Sequence, residues 1–85
     1  MNEKIIEIIR EACALEEELF EDTKFNEISL DSLSFIEVIV KTEQEFKIEF
    51  EAEQINMMYW ETIGDYISYV GKKVNEIKQN NGSKD

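Results

Sequence analysis

Apolar residues recur at intervals of three and four positions in separate segments of this 85-residue chain. This spacing places them on one face of an α-helix. The predicted helices run from about Asn2 to about Leu19, from Asp31 or Ser32 to near Lys47, from Glu51 to Trp60, and from Thr62 onward. The predicted fold class is therefore all-α: a small four-helix bundle with three longer helices, one short third helix and a long first loop over residues 20–30.

The scarcity of proline and glycine and the polar residues at the end of the chain agree with that prediction. The chain has no proline and only three glycines, which favours helices joined by polar loops. Thr62 and Asp65 stand three positions apart, the spacing of a reciprocal cap at the start of the last helix. We expect one domain over residues 1–79, followed by a flexible polar tail at 80–85.

The charge balance limits the possible partners. Twenty acidic residues against nine basic ones give a net charge of −11. Nucleic acids and anionic membranes would be repelled, whereas proteins with basic patches would be attracted. No apolar run is long enough to span a bilayer, and no signal-peptide pattern is present. We expect a cytoplasmic monomer.

Few residues could support catalysis or bind a metal. The chain has no histidine, which removes the usual general base and the commonest zinc ligand. The single cysteine, Cys13, is expected to be a small core residue, because the acidic neighbours Glu16 and Glu17 disfavour a reactive thiolate. The carboxylates follow no metal-binding loop pattern, so we predict no catalytic residue and no metal site.

The tripeptide Asp31-Ser32-Leu33 stands where the irregular loop meets the second helix. Ser and Asp are preferred helix N-caps, so the Ser32 hydroxyl could be a cap. Capping is the default interpretation, and the alternative is that the hydroxyl anchors a covalently attached prosthetic arm. The tripeptide alone leaves both interpretations open.

Downstream residues resemble those of a known family. Leu30-Asp31-Ser32-Leu33, the segments 36–39 and 43–50, and Thr62-Ile63-Gly64-Asp65-Tyr66-Ile67 together are similar to the acyl carrier proteins. The resemblance covers roughly residues 5–74. It implies an acyl-carrier-like helical bundle that carries cargo and is not an enzyme.

The resemblance also implies a prosthetic group and a site for it. Ser32 would carry 4′-phosphopantetheine, transferred from coenzyme A by a phosphopantetheinyl transferase, and Asp31 would help to hold the metal in that complex. Acyl cargo would be held as a thioester, and fatty-acid biosynthesis is the first expectation. The alternatives are a dedicated acyl, aminoacyl or peptidyl carrier of a polyketide, nonribosomal peptide or other specialised pathway, and an unmodified acidic protein-binding adaptor.

The second helix carries apolar residues on two sides. Val38, Ile39 and Phe46 are predicted to face the core. Leu33, Ile36 and Val40 form the second stripe, which resembles the exposed docking contacts of the family. The predicted partner-binding residues are Leu33, Ile36 and Val40, with Glu37, Glu43 and Gln44 as a polar rim for acyl-processing enzymes with basic docking patches.

Several features depart from the family pattern, among them Ser29, where a glycine is frequent, and Glu51, where a proline is common. Lys41 stands on the docking helix where a small residue is frequent, and Thr42 stands where a core leucine is usual. The segment between Phe50 and Thr62 is longer than usual and rich in methionine and aromatic residues.

Overall fold

The computed structural model describes residues 2–14, 18–28 and 30–83, with side chains at 3–14, 18–28 and 30–77. It contains three α-helices in this part of the chain: α1 over Asn2–Cys13, α2 over Ser32–Phe46 and α3 over Ile63–Ser83. Three short 3-10 turns lie between them, at Phe25–Glu27, Ala52–Gln54 and Met57–Tyr59. The described residues form no strand, only one antiparallel bridge between Lys24 and Thr62. The all-α prediction is confirmed.

Helix α1 is shorter than the sequence predicts. It ends at Cys13, and Ala14 follows in the left-handed conformation with φ of 53°. A left-handed residue directly after a helix is a common terminator. Leu19, predicted to be helical, is buried but lies outside the helix. Leu19 continues the apolar spacing of α1 because its side chain is buried in the core. The spacing at this position therefore does not indicate a helix.

The predicted short third helix is also wrong. Residues 51–60 form two 3-10 turns, interrupted at Asn56, whose backbone is extended with φ of −137° and ψ of 123°. The Asn56 side chain accepts a hydrogen bond from the backbone N–H of Met58 at 2.9 Å. Asparagine readily makes such local bonds, which compete with a continuous helix. Of the apolar side chains expected to pack, Trp60 is buried, whereas Ile55 and Met58 are exposed.

Aromatic rings fill the centre of the bundle. Phe25 meets Phe35 of α2 edge-to-face at a centroid distance of 6.0 Å. Tyr66 of α3 stacks on Phe50 at 5.6 Å and meets Trp60 edge-to-face at 5.1 Å. Such ring pairs add stabilisation beyond the apolar area they bury. The core therefore joins α2, α3 and both connecting segments.

The start of α3 fixes the first loop. Thr62 and Asp65 form the predicted reciprocal cap, with backbone-to-side-chain distances of 3.2 and 3.1 Å. The backbone N–H of Ile63 donates to Thr23 O at 2.9 Å, and that of Gly64 donates to Glu21 O at 2.7 Å. A Cβ added at Gly64 would lie 2.8 Å from Glu21 O, so the loop backbone approaches closely only because residue 64 is glycine.

Helix α3 continues through Ser83, further than expected from the polar residues at 80–83. Residues 84–85 of the predicted tail lie outside the described residues, and the division at 79/80 stays a prediction. Among the described helices, none has an apolar stretch sufficient to cross a membrane.

Candidate functional site

Asp31 is the N-cap of α2. Its backbone is extended, and its carboxylate Oδ1 accepts a hydrogen bond from the backbone N–H of Ser34 at 2.7 Å. Hydrogen bonds from the Ser34 backbone, and then from the Ser34 side chain and the Leu33 backbone, hold the pKa of Asp31 below its usual value. The free N–H groups of the first helical turn are thus partly satisfied by Asp31.

Ser32 follows the cap as the first residue of α2 and is exposed. The interpretation of the Ser32 hydroxyl as the helix cap is therefore wrong, because its neighbour performs that task. The hydroxyl lies at a helix N-terminus, where the helix dipole and unpaired N–H groups favour a nearby anion. A phosphate ester on this oxygen would occupy such a position.

The surroundings of Ser32 provide no obvious nucleophile activation. Cys13, at the end of α1, is half-buried, and burial raises the pKa of its thiol, with the carboxylates of Asp31 and Glu37 adding to the rise. Its thiol is therefore protonated at neutral pH. Within the described part of the chain no cluster of three acidic, histidine or cysteine residues could hold a metal ion.

Helix α2 has two apolar faces, as its sequence predicts. Val38, Ile39 and Thr42 are buried against the core. On the outer side, Leu33 is 79% exposed, Ile36 44% and Val40 42%. Phe46 is only partly buried, and Phe35, which the predicted stripes omitted, is fully buried. A row of exposed apolar side chains on a monomer is a typical protein-contact surface.

The three polar residues expected to flank this row differ in position. Glu37 is exposed and forms an ion pair with Lys41 one turn later at 3.7 Å. Gln44 is exposed and lies on the shallow groove between α1 and α2. Glu43 is half-buried, and its Oε2 accepts a hydrogen bond from the backbone N–H of Phe50 at 2.9 Å. Glu43 therefore ties α2 to the segment that follows it.

Thr42 takes part in a buried polar contact that the sequence did not reveal. The Tyr66 hydroxyl donates to Thr42 Oγ1 at 2.9 Å, and Thr42 Oγ1 donates to Val38 O at 2.7 Å. Burial raises the pKa of Tyr66, so its hydroxyl stays protonated and remains a donor. The only sequence signal was a threonine and a tyrosine within otherwise apolar helix faces. This pair explains why a hydroxyl residue is accommodated at position 42.

Comparison with known proteins agrees with this arrangement. Residues 3–70 match the family model described as "Phosphopantetheine attachment site". The acyl carrier protein of Streptococcus thermophilus is 40% identical over 73 residues, covering 84% of this chain and 92% of that protein. The acyl carrier protein of Streptococcus pyogenes serotype M1 is 38% identical over 73 residues, which again cover 84% of this chain and 92% of that protein.

A solved structure shows the same likeness in three dimensions. The crystal structure of an acyl carrier protein from Thermotoga maritima superposes with a TM-score of 0.73 at 32% sequence identity. The superposition covers 88% of this chain and 87% of that one. The likeness therefore extends over most of the fold.

Proposed function

This chain belongs to the family of acyl carrier proteins, and from that premise we propose that Ser32 carries its 4′-phosphopantetheine arm. The observation that carries the proposal is that two different residues at the start of α2 provide the helix cap and the exposed hydroxyl. Asp31 caps the helix, and Ser32 presents an exposed hydroxyl at its first turn. The residue proposed for modification is thus accessible and is not needed as the cap.

As a member of this family the protein is a carrier and not a catalyst. When bound, the prosthetic group supplies a terminal thiol on which acyl cargo is held as a thioester. The chain's own contribution is to position the attachment point and to present surfaces to the enzymes that process the cargo. Its lack of histidine is compatible with that division of labour.

The residues at the start of α2 fit a phosphodiester. The N-terminus of a helix favours an anion through its dipole and free N–H groups. Asp31 opposes this locally with its own negative charge. In the loading reaction the Ser32 oxygen would form a bond to the pantetheine-side phosphorus of coenzyme A, the pyrophosphate P–O bond would break, and adenosine 3′,5′-bisphosphate would leave. We assign Asp31 a second role in this reaction, in which its exposed carboxylate helps to hold the metal ion of the phosphopantetheinyl transferase.

We propose that partner enzymes dock on the outer face of α2. Leu33, Ile36 and Val40 would enter apolar contacts, with Glu37 and Gln44 at the rim facing basic residues of the partner. Glu43 contributes mainly charge, since its carboxylate is bound to Phe50 N–H. Complementary charge of this kind chiefly raises the rate of association.

We propose fatty-acid biosynthesis as the pathway, supported by the likeness to acyl carrier proteins of streptococci. The cytoplasm is the proposed location, because the free thiol of Cys13 suits a reducing compartment. The high net charge opposes self-association, which supports a monomer.

Intact mass tests the attachment directly. The unmodified protein is incubated with coenzyme A, Mg²⁺ and a broad-specificity phosphopantetheinyl transferase, and we expect the mass to rise by one phosphopantetheinyl group. Ser32→Ala should abolish the gain, whereas Ser68→Ala, at an exposed serine on α3, should load normally. No gain in the wild type would favour the unmodified adaptor, and a gain that survives in Ser32→Ala would place the arm elsewhere.

A further inference from the structure

The segment between α2 and α3 presents large apolar side chains that the core does not use. Ile55 is 39% exposed, Met58 88% and Tyr59 51%. We call these three residues the Met58 patch. Methionine and tyrosine are both enriched in the buried centres of protein interfaces. Three large apolar side chains exposed within five residues of chain are a candidate protein-contact surface.

The Met58 patch is held in place by its backbone and by the ring beneath it. The Asn56 side chain accepts from Met58 N–H at 2.9 Å, and Asn56 O accepts from Tyr59 N–H at 2.9 Å. The Tyr59 ring meets the buried Trp60 ring edge-to-face at 4.8 Å. Trp60 is in turn anchored by a hydrogen bond from its indole N–H to Gln54 O at 2.9 Å. A surface fixed before binding loses less conformational entropy on association.

The charge around the patch defines its partner. The chain from residue 48 to residue 71 contains no lysine or arginine. Along the chain it does contain exposed carboxylates on either side of the patch, at Glu49, Glu51, Glu53, Glu61 and Asp65. The backbone bridge between Lys24 and Thr62 brings one exposed lysine to this region, against five carboxylates. An anionic membrane, a nucleic acid or a second copy of this chain would meet repulsion at such a site. A protein with an apolar socket and a lysine- or arginine-rich rim would be complementary to it.

We propose that the Met58 patch is a second docking element, which inserts Met58 into an apolar, basic-rimmed socket of an acyl-processing enzyme. The proposal rests on the carrier function and adds to the α2 face a surface that selects among partners. The segment is rich in methionine and aromatic residues, so it can offer contacts that distinguish this carrier's enzymes from those that accept other carriers.

The test begins with a photo-crosslinking residue, p-benzoylphenylalanine, placed at position 58 in cells of the source organism, with position 20 as the control. Phe20 is 57% exposed and lies in the first loop, where it lines a groove with residues of α1. We expect position 58 to capture an acyl-processing enzyme, identified by mass spectrometry, with crosslinks that map to a site lined by apolar and basic residues. A crosslink to lipid, to a second copy of the chain, or at a level no higher than that from position 20 would overturn the proposal.

The captured enzyme is then purified and assayed with loaded carriers. Met58→Glu should raise the KM for the carrier about tenfold, which corresponds to about 1.4 kcal/mol, while Phe20→Glu should leave it within about twofold. Met58 is largely exposed, so its substitution should leave the fold intact, which circular dichroism checks. An unchanged KM for Met58→Glu would refute the docking role. Intact mass after transferase treatment is measured first, so a failure of Ser32 loading is distinguished from a failure of docking.

Discussion

Asp31 and Ser32 are adjacent residues with separate tasks. The carboxylate of Asp31 stabilises the first turn of α2, and Ser32 leaves its hydroxyl exposed at that turn. The order of the two residues matters, because a capping side chain must precede the first helical residue. In the proposed loading reaction the two residues act as a pair, in which Asp31 stabilises the helix start and Ser32 is the residue to be modified.

Ser32→Ala is expected to separate folding from loading. Because Ser32 is not the cap, the substitution should change the free energy of unfolding by no more than about 0.5 kcal/mol, as for other exposed sites. Urea denaturation measures this, and intact mass shows the loss of loading. A destabilisation of several times that size would indicate that the hydroxyl supports the fold.

Asp31→Ala should lower the thermal midpoint at pH 7, because it removes the cap, whereas Asp31→Asn should largely preserve it. The pKa of Asp31 is lowered in the folded state, so the charge-dependent part of its stabilisation is present above the unfolded pKa of about 4 and disappears as pH falls through the lower folded value. The difference in thermal midpoint between the wild type and Asp31→Ala should therefore shrink at acidic pH. A difference that stayed constant down to pH 2 would show that the charge of Asp31 contributes nothing to capping.

At the scale of elements, helices α2 and α3 are joined by the Tyr66–Thr42 contact. Both hydroxyls are buried, and together with Val38 O they form a short chain of hydrogen bonds. Most contacts between elements in this core are apolar and could shift slightly without loss. A hydrogen bond between two helices has a narrower geometry, so this one fixes their relative position.

A double-mutant cycle measures that link. Thr42→Val leaves the Tyr66 hydroxyl buried without its partner, which should cost about 1–3 kcal/mol, and Tyr66→Phe should cost about 1 kcal/mol. The double variant should be less destabilised than the sum of the two, because neither hydroxyl is then left unpaired. Chemical denaturation of all four proteins gives the coupling energy. Simple additivity would mean that the two hydroxyls do not interact in solution.

The close approach of the first loop to α3 gives a second test at this scale. Gly64→Ala would place a Cβ 2.8 Å from Glu21 O, and moving that backbone away should cost about 1–3 kcal/mol. Gly71→Ala, inside α3, is the matched control and should not destabilise, since alanine favours a helix over glycine by about 1 kcal/mol. Equal effects of the two substitutions on the thermal midpoint would exclude the proposed close contact.

The predictability of each element follows from how its interactions are arranged along the chain. The start and end of α2 and the start of α3 were predictable, because the capping residues and the apolar spacing lie within a few positions of one another. The segment 51–60 was not, because its conformation depends on the Asn56 side chain and on where Trp60 packs. The Ser32 site followed from a resemblance, whereas the Thr42–Tyr66 contact joins residues 24 positions apart and required the fold.

At the scale of the whole molecule, the net charge of −11 acts on stability and on association in opposite ways. Repulsion among carboxylates destabilises the compact state, and the same field attracts basic partners. Salt screens both effects, since the Debye length is about 8 Å at physiological ionic strength. Added salt should therefore stabilise the carrier and slow its association with basic partners.

Salt titration is expected to show this opposition within one preparation. Between salt-free buffer and about 0.15 M NaCl, the thermal midpoint should rise, while the association rate with the transferase should fall. Differential scanning fluorimetry and stopped-flow mixing measure the two quantities. A midpoint that fell with salt would show that attractive ion pairs, such as Lys4–Glu45 at 3.8 Å, outweigh the general repulsion.

The capping of α2 by Asp31 has a consequence for when, and how many times, one molecule can be modified. Since the cap of α2 does not use the hydroxyl of Ser32, we expect that the proposed arm can be attached after folding is complete and removed again without unfolding. One copy of the chain can thus pass through many cycles of use. The same independence makes Ser32 a convenient place for an experimenter to mount a dye, a spin label or a synthetic cargo on an otherwise undisturbed protein.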